Sequence, residues 1–211
     1  MKSEREITCT CSKCGETEKI YLPQVITEQQ RWETEDLSLF KWTCPKCGHV
    51  LKLLYPCMYL DKEKKILVWY VDEHKDKKIE IDVLQKELAH EFQEEAKGYT
   101  KRFCCTLEEF GEKVRVLEQG LDDKVIELLK IMTFARLHIS DKSIEHIYYY
   151  RRDAAGNYEF TIIGREGTRG ITLNHSMYQD IEDLVQEKME ADQDRFYCID
   201  PDWAGQQIVQ M

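Results

Sequence analysis

The sequence predicts an α+β protein, and three observations along its 211 residues support this class. Two cysteine pairs with β-prone neighbours occupy the first third, apolar residues at helical spacing dominate the middle, and the last third alternates apolar and polar residues. We therefore expect a cysteine-rich unit with a small antiparallel sheet over residues 1–78, a linker helix and helical hairpin over 79–140, and a small unit with a β-meander and a helix over 141–211.

Three β-prone runs belong to the N-terminal unit. Residues 18–22 and 49–55 each follow a cysteine pair, and residues 66–71 follow a charged turn at 61–64. Short apolar runs bounded by turn residues are typical of strands, so we predict that the three form one small antiparallel sheet. The stretch 34–40, between the cysteine pairs, can add a short helical turn.

Helical periodicity is clearest in the middle of the chain. A linker helix is predicted over 81–96, and the sequence T-L-E-E at 106–109 has the spacing of a capping box, which predicts a helix that ends at Gly120. A further helix is predicted from about Asp122. Two helices joined at Gly120 also allow a helix-turn-helix interpretation, but the second carries few basic residues, so a packing hairpin is favoured.

The last third of the chain predicts a three-stranded meander. Its strands are expected at 144–151, 158–164 and 170–173, followed by a helix capped by Ser176 and a short run at 195–199.

Three consecutive tyrosines fall in the first of these strands. Tyr148, Tyr149 and Tyr150 could stack on nucleic-acid bases or on a partner. Alternation along a strand would instead turn Tyr149 away from its two neighbours, which suits a packed sheet with one wet face. The packing interpretation is favoured.

The charge balance bears on the class of partner. The formal net charge is -10, from 40 acidic and 30 basic residues, so the chain as a whole repels polyphosphates. No run approaches the length of a membrane span, and the N-terminus shows no apolar signal segment, so we expect a cytoplasmic protein without membrane attachment. Candidate basic patches are Lys62, Lys64, Lys65, Lys75, Lys77 and Lys78, and separately Arg151 and Arg152.

Two copies of one cysteine motif, C-x-x-C-G, are the strongest signal in the sequence. Cys11 and Cys14 form the first pair, Cys44 and Cys47 the second, and 29 residues separate the pairs. Two intervening residues let both thiolates of a pair reach one ion, and the following glycine can take a left-handed turn. The four cysteines therefore predict a four-cysteine zinc ribbon that holds one structural Zn2+ in a closed shell, which argues against catalytic zinc.

The other cysteines and the histidines give weaker signals. Cys9 could replace Cys11 as a ligand, His49 could serve if one cysteine does not, and Cys57 is expected to be a small buried apolar residue. We predict no catalytic residue, because the chain shows no nucleophile signature and no glycine-rich phosphate loop. The residues considered and set aside are Cys104, Cys105, His138, His146 and His175.

The second cysteine pair also carries a family resemblance. The sequence C-P-K-C-G at 44–48, Y-P-C-M-Y-L-D at 55–61 and L-D-D-K-V-I-E at 121–127 resemble the CpXC domain family of bacterial proteins. The resemblance is close over 7–71 and looser to about 137, and Ser12 departs from it by standing where the family has proline. It implies a zinc ribbon and supplies no activity.

The sequence therefore favours a zinc-stabilised, noncatalytic module that binds a protein partner. Two alternatives stay open. One is a nucleic-acid-associated zinc ribbon, which would need a basic face. The other is a thiol redox protein that uses the C-x-x-C pairs, which would need solvent-reachable thiols of low pKa.

Overall fold

The structure is a computed structural model that describes residues 4–71, 96–189, 191–192 and 194–210. These residues form an α+β fold, as predicted, in two compact units: Met1–Val114 with Asp194–Tyr197, and Arg115–Gln193 with Cys198–Met211. The predicted three-part division stays a prediction. Within the described ranges, no helix combines the length and the apolar character needed to cross a membrane.

The described residues of the first unit form three small sheets. Two are antiparallel hairpins, β1–β2 and β4–β5, and the third has the strand order β3-β6-β7-β8. In the third sheet β6 and β7 are antiparallel, whereas β3–β6 and β7–β8 are parallel. The strands are β1 (Glu4–Thr10), β2 (Thr17–Pro23), β3 (Val25–Thr27), β4 (Lys41–Thr43), β5 (Val50–Lys52), β6 (Cys57–Asp61), β7 (Ile66–Tyr70) and β8 (Thr100–Cys104).

The three strands predicted for this region are present, but they lie in three different sheets rather than in one. Residues 18–22 fall in β2, 49–55 contain β5, and 66–71 contain β7. No strand was predicted at 57–61, where the structure has β6. This strand begins directly after Pro56 and pairs with β3 in parallel. Parallel pairing joins residues distant in the sequence, so no local pattern predicts it.

Of the two helices described in the first unit, the second begins where its local signal places it, and the first begins three residues before the predicted stretch. Helix α1 (Arg31–Glu35) and a 3-10 turn at Ser38–Phe40 share the predicted helical stretch at 34–40. Helix α2 (Leu107–Glu118) starts at the predicted capping box: the Glu109 N–H donates to Thr106 Oγ1 at 3.2 Å, and the Thr106 N–H donates to a Glu109 carboxylate oxygen at 3.3 Å. The predicted linker helix at 81–96 lies outside the described residues, apart from Ala96.

The described part of the second unit contains the second helix predicted for the hairpin, the meander and two further helices. The predicted meander is confirmed, with strand order β11-β10-β9 and antiparallel pairing throughout. Its elements are α3 (Asp123–His138), β9 (Ile144–Arg152), β10 (Tyr158–Gly164), β11 (Gly167–Leu173), α4 (His175–Lys188) and α5 (Pro201–Gln210).

The core of the second unit explains the tyrosine run. Tyr149 is fully buried and packs edge-on against Phe160 with ring centroids 5.6 Å apart, whereas Tyr150 is half exposed. The packed-sheet interpretation is therefore confirmed.

One cap of the second unit was assigned to the wrong residue. Asn174, not Ser176, caps α4, and its side-chain oxygen accepts from the Met177 N–H at 3.0 Å. Ser176 lies in the first turn and donates its hydroxyl to the same oxygen. Helix α5 was not predicted, although Pro201 at its first position after Asp200 is a typical helix start.

The cap of α3 gives a first testable prediction. The Asp122 carboxylate accepts from the Lys124 N–H at 2.8 Å. Asp122→Ala leaves that N–H without this acceptor and should lower the free energy of unfolding by about 1 kcal/mol, measured by urea denaturation. Asp122→Asn keeps an oxygen acceptor at the same place and is the matched control. Equal losses in the two variants would show that the cap is not the source of the effect.

Candidate metal centre

Each C-x-x-C-G motif forms the tip of one hairpin of the first unit, and the two tips repeat the same backbone pattern. In the first, the Cys11 N–H donates to Glu16 O at 2.8 Å and the Gly15 N–H donates to Cys11 O at 2.9 Å. In the second, the Cys44 N–H donates to His49 O at 2.8 Å and the Gly48 N–H donates to Cys44 O at 2.9 Å. Two copies of one turn therefore face one another.

A glycine closes each turn because the backbone there is left-handed. The φ angles are 73° at Gly15 and 69° at Gly48, a region that residues with a Cβ atom enter only at a cost. Both glycines follow the second cysteine of their pair, so this turn lets the two thiols of a pair point to the same side.

The two tips bring four thiols into one group. The Sγ atoms of Cys11 and Cys47 are 3.6 Å apart, those of Cys14 and Cys44 are also 3.6 Å apart, and all four lie within 4.8 Å of one another. A tetrahedral shell with metal–sulfur bonds of about 2.3 Å places its sulfur atoms about 3.8 Å apart. The four cysteines fit a metal ion in this geometry.

The group is half sheltered from water. Cys11 and Cys44 are buried, whereas Cys14 and Cys47 are partly exposed. Cys9 and Trp42 complete an apolar cluster with the two buried cysteines. The arrangement has one side against protein and one side toward solvent, which gives an ion access during assembly.

Polar contacts tie the two hairpins together around the thiols. The Trp42 indole N–H donates to the Glu18 carboxylate at 2.8 Å, and Lys46 pairs with Glu16 at 3.2 Å. The imidazole Nε2 of His49 lies 3.3 Å from Ser12 Oγ. Each of these contacts joins a residue of the first hairpin to one of the second.

The pKa values of the thiols show why they suit a cation. Burial acts to raise the pKa of Cys11, but hydrogen bonds from the backbone N–H groups of Cys14 and Lys13 and from the Cys47 and Cys14 thiols together bring the pKa to about 7. A backbone N–H from Glu16 acts to lower the pKa of Cys14, yet burial and the neighbouring Cys47 and Cys44 thiols raise it to about 12. Thiols this close cannot all ionise without a cation between them, because each thiolate repels the next.

The structure brings together the four cysteines named from the sequence. Cys9 is not part of the group, and the ring of His49 contacts Ser12. Burial raises the pKa of Cys57, which lies in β6 as the buried apolar residue that was expected. In the parts of the chain that the structure describes, this is the one cluster of cysteine, histidine or acidic side chains suited to a metal.

The position of Cys9 has a signal that the sequence analysis missed. Cys9 stands two residues before Cys11, and Trp42 stands two residues before Cys44. Residues two apart on a strand share a face, so Cys9 and Trp42 occupy equivalent places in the two hairpins. Both are buried against the thiol cluster, at 7% and 6% exposure. Cys9 is therefore the packing counterpart of a tryptophan.

Two hairpins that present four cysteines to one point give the first unit a cluster that could hold a metal ion, at the two motifs named from the sequence. A family model described as CpXC protein matches residues 8–130, more than half of the chain, and the chain belongs to this family. The match spans both the close and the looser part of the resemblance seen in the sequence. Neither the curated proteins nor the solved structures gave a match.

Proposed function

We propose that Cys11, Cys14, Cys44 and Cys47 bind one structural Zn2+ and that the chain is a noncatalytic module that binds a protein partner. The observation that carries the proposal is the closed group of four thiols, with Sγ–Sγ separations of 3.6 Å in two pairs. Four thiolates in a tetrahedron are the donor set typical of structural zinc. Such a shell leaves no coordination position for water, so the ion stabilises the fold rather than activating a nucleophile.

The charges of the chain support a protein partner over a nucleic acid. The net charge is -10, and several basic side chains are already neutralised by acids. Arg151 of the candidate basic pair lies 2.7 Å from Glu159, and Lys46 beside the second cysteine pair lies 3.2 Å from Glu16. A phosphate backbone would have to displace these acids, which opposes binding.

Metal analysis of the full chain, purified without chelator or affinity-tag metal, tests the zinc assignment. We expect about one zinc per chain, because four cysteines make one tetrahedral shell. Cys9→Ser is the matched control: it removes a buried thiol from the first hairpin but no ligand, and it should keep the same zinc content. Loss of zinc in Cys9→Ser would contradict the four-ligand set, and a chain with little metal and four reactive thiols would favour the thiol redox alternative.

Nucleic-acid binding separates the protein partner from its main alternative. Labelled mixed-sequence duplex DNA and single-stranded RNA are titrated with the zinc-loaded chain at about 0.15 M salt, and fluorescence anisotropy is measured. We expect no saturable binding. Saturable binding whose affinity falls steeply as salt rises would overturn the protein-partner proposal in favour of a nucleic-acid module.

A further inference from the structure

Strand β8, at the edge of the four-stranded sheet, has a neighbour from a distant part of the sequence. Asp194–Tyr197 belongs to the same compact unit and runs parallel to β8, with a bridge between Arg102 and Tyr197. The Phe103 N–H donates to Tyr197 O at 2.9 Å, and the Tyr197 N–H donates to Lys101 O at 3.2 Å. The segment therefore extends the sheet by one short strand.

One face of this strand carries Asp194 and Phe196, two residues apart. Asp194 pairs at 2.5 Å with Lys101, whose side chain is only 6% exposed. A buried ammonium group is costly without a negative partner, and the Asp194 carboxylate supplies one to Lys101. This requirement selects a negative charge at the first position of the segment.

Phe196 fills an aromatic patch on the same face. Its ring centroid lies 4.9 Å from that of Phe103 and 6.4 Å from that of Trp69, and the side chain is buried. Burial of an aromatic side chain is the largest apolar contribution that a four-residue segment can make. The patch therefore selects an aromatic residue two positions after the acid.

The opposite face of the segment carries Arg195 and Tyr197. The guanidinium of Arg195 lies 4.7 Å from the centroid of the Tyr197 ring, and that of Arg102 lies 5.8 Å from it. Contacts thus alternate from face to face along the segment, as they do in a strand that joins a sheet edge. Backbone hydrogen bonds hold the segment, and alternate side chains supply the selectivity.

We propose that the β8 edge is a recognition site for an extended peptide that carries an acidic residue and, two positions later, an aromatic residue, and that Asp194–Tyr197 occupies this site in cis. The site lies within the part of the chain that the family model matches, at 8–130, whereas the segment that fills it lies beyond that match. A partner protein with the same pattern would bind by strand addition in competition with the cis segment. The site includes none of the four clustered cysteines, so its test is independent of the metal.

A peptide titration of the zinc-loaded full chain tests this site. The labelled peptide has the sequence of residues 191–197, A-D-Q-D-R-F-Y, and binding is followed by anisotropy. A segment held in cis competes at an effective concentration on the order of 1 mM, so the wild type should bind the free peptide weakly. Phe196→Ala removes the cis aromatic anchor, and this variant should bind the peptide at least about 10-fold more tightly than the wild type.

Two controls make the result specific. A peptide with alanine in place of its phenylalanine should lose binding to Phe196→Ala, and adding Lys101→Met to that variant should weaken binding of the original peptide about 10-fold. Asp194→Asn replaces the carboxylate of a partly exposed residue without leaving a cavity. This variant should bind the original peptide with an affinity between those of the wild type and Phe196→Ala, and it provides the test if Phe196→Ala does not fold. Folded variants that bind neither peptide, or both equally, would overturn the proposal.

Discussion

Cys44→Ser is expected to abolish stoichiometric zinc binding and to release the two hairpin tips from their folded state. Cys44 is the most buried of the four thiols, at 1% exposure, and it contacts Cys14 across the hairpins at 3.6 Å. A metal ion whose free concentration is 100-fold above its dissociation constant stabilises a fold by about 2.7 kcal/mol. This free energy corresponds to a change of about 100-fold in the equilibrium constant for local opening. The small sheets β1–β2 and β4–β5 have little apolar core to replace that contribution.

Amide hydrogen exchange measures this effect region by region. In Cys44→Ser the amides of Cys11, Gly15 and Gly48 should exchange about 100-fold faster than in the wild type, while the meander β9–β11 keeps its protection. Chelator added to the wild type should reproduce the pattern, and Cys9→Ser should not. Unchanged protection at the tips after the metal is removed would show that the ion does not hold the hairpins.

Phe110→Ala is expected to cost about 3–5 kcal/mol of the free energy of unfolding. The Phe110 side chain is fully buried, and its ring lies 6.0 Å from that of Phe40 and 5.9 Å from that of Tyr70. Phe110 therefore links α2 to strand β7 of the four-stranded sheet and to the 3-10 turn at Ser38–Phe40, all within the first unit. Truncation removes the aromatic packing and leaves a cavity that rigid neighbours cannot fill.

Urea denaturation followed by tryptophan fluorescence and by far-UV circular dichroism tests this prediction. Phe110→Leu is the matched control, because it keeps an apolar side chain at the same place and leaves a smaller cavity, so its loss should be clearly smaller. A cost below about 1 kcal/mol for the alanine variant would mean that the site collapses around the deletion or that the ring is not packed as described.

The sequence by itself determined those features of the protein whose physical cause is local. The C-x-x-C-G pairs specify their own turns through two intervening residues and a left-handed glycine, so the four clustered cysteines could be named in advance. The capping box at Thr106 and Glu109 satisfies the first N–H groups of α2 from within four residues. The meander follows from period-two alternation and short turns.

Where two neighbouring residues could fill the same role, the tertiary structure decided between them. Asn174 and Ser176 are both able to cap a helix, and the chain leaves its extended conformation after Asn174, at φ -73° and ψ 159°, so Asn174 is the cap of α4. Cys9 and Cys11 are both thiols near the first motif, and the fold gave Cys11 a place among the four clustered thiols while Cys9 packs beside them with Trp42. Each choice depended on where the backbone turns, which the residue types alone do not fix.

Long-range pairing was beyond the reach of the sequence. The parallel contacts β3–β6 and β7–β8 and the addition of Asp194–Tyr197 to β8 each join residues that no turn connects. Closing such a loop costs chain entropy, and burial of the joined surfaces must offset that cost. The pairing is therefore fixed by the whole core and not by any one segment of the sequence. The sequence determined the cysteine turns, the capping box of α2 and the motif of the four clustered cysteines, and the core determined which strands became neighbours.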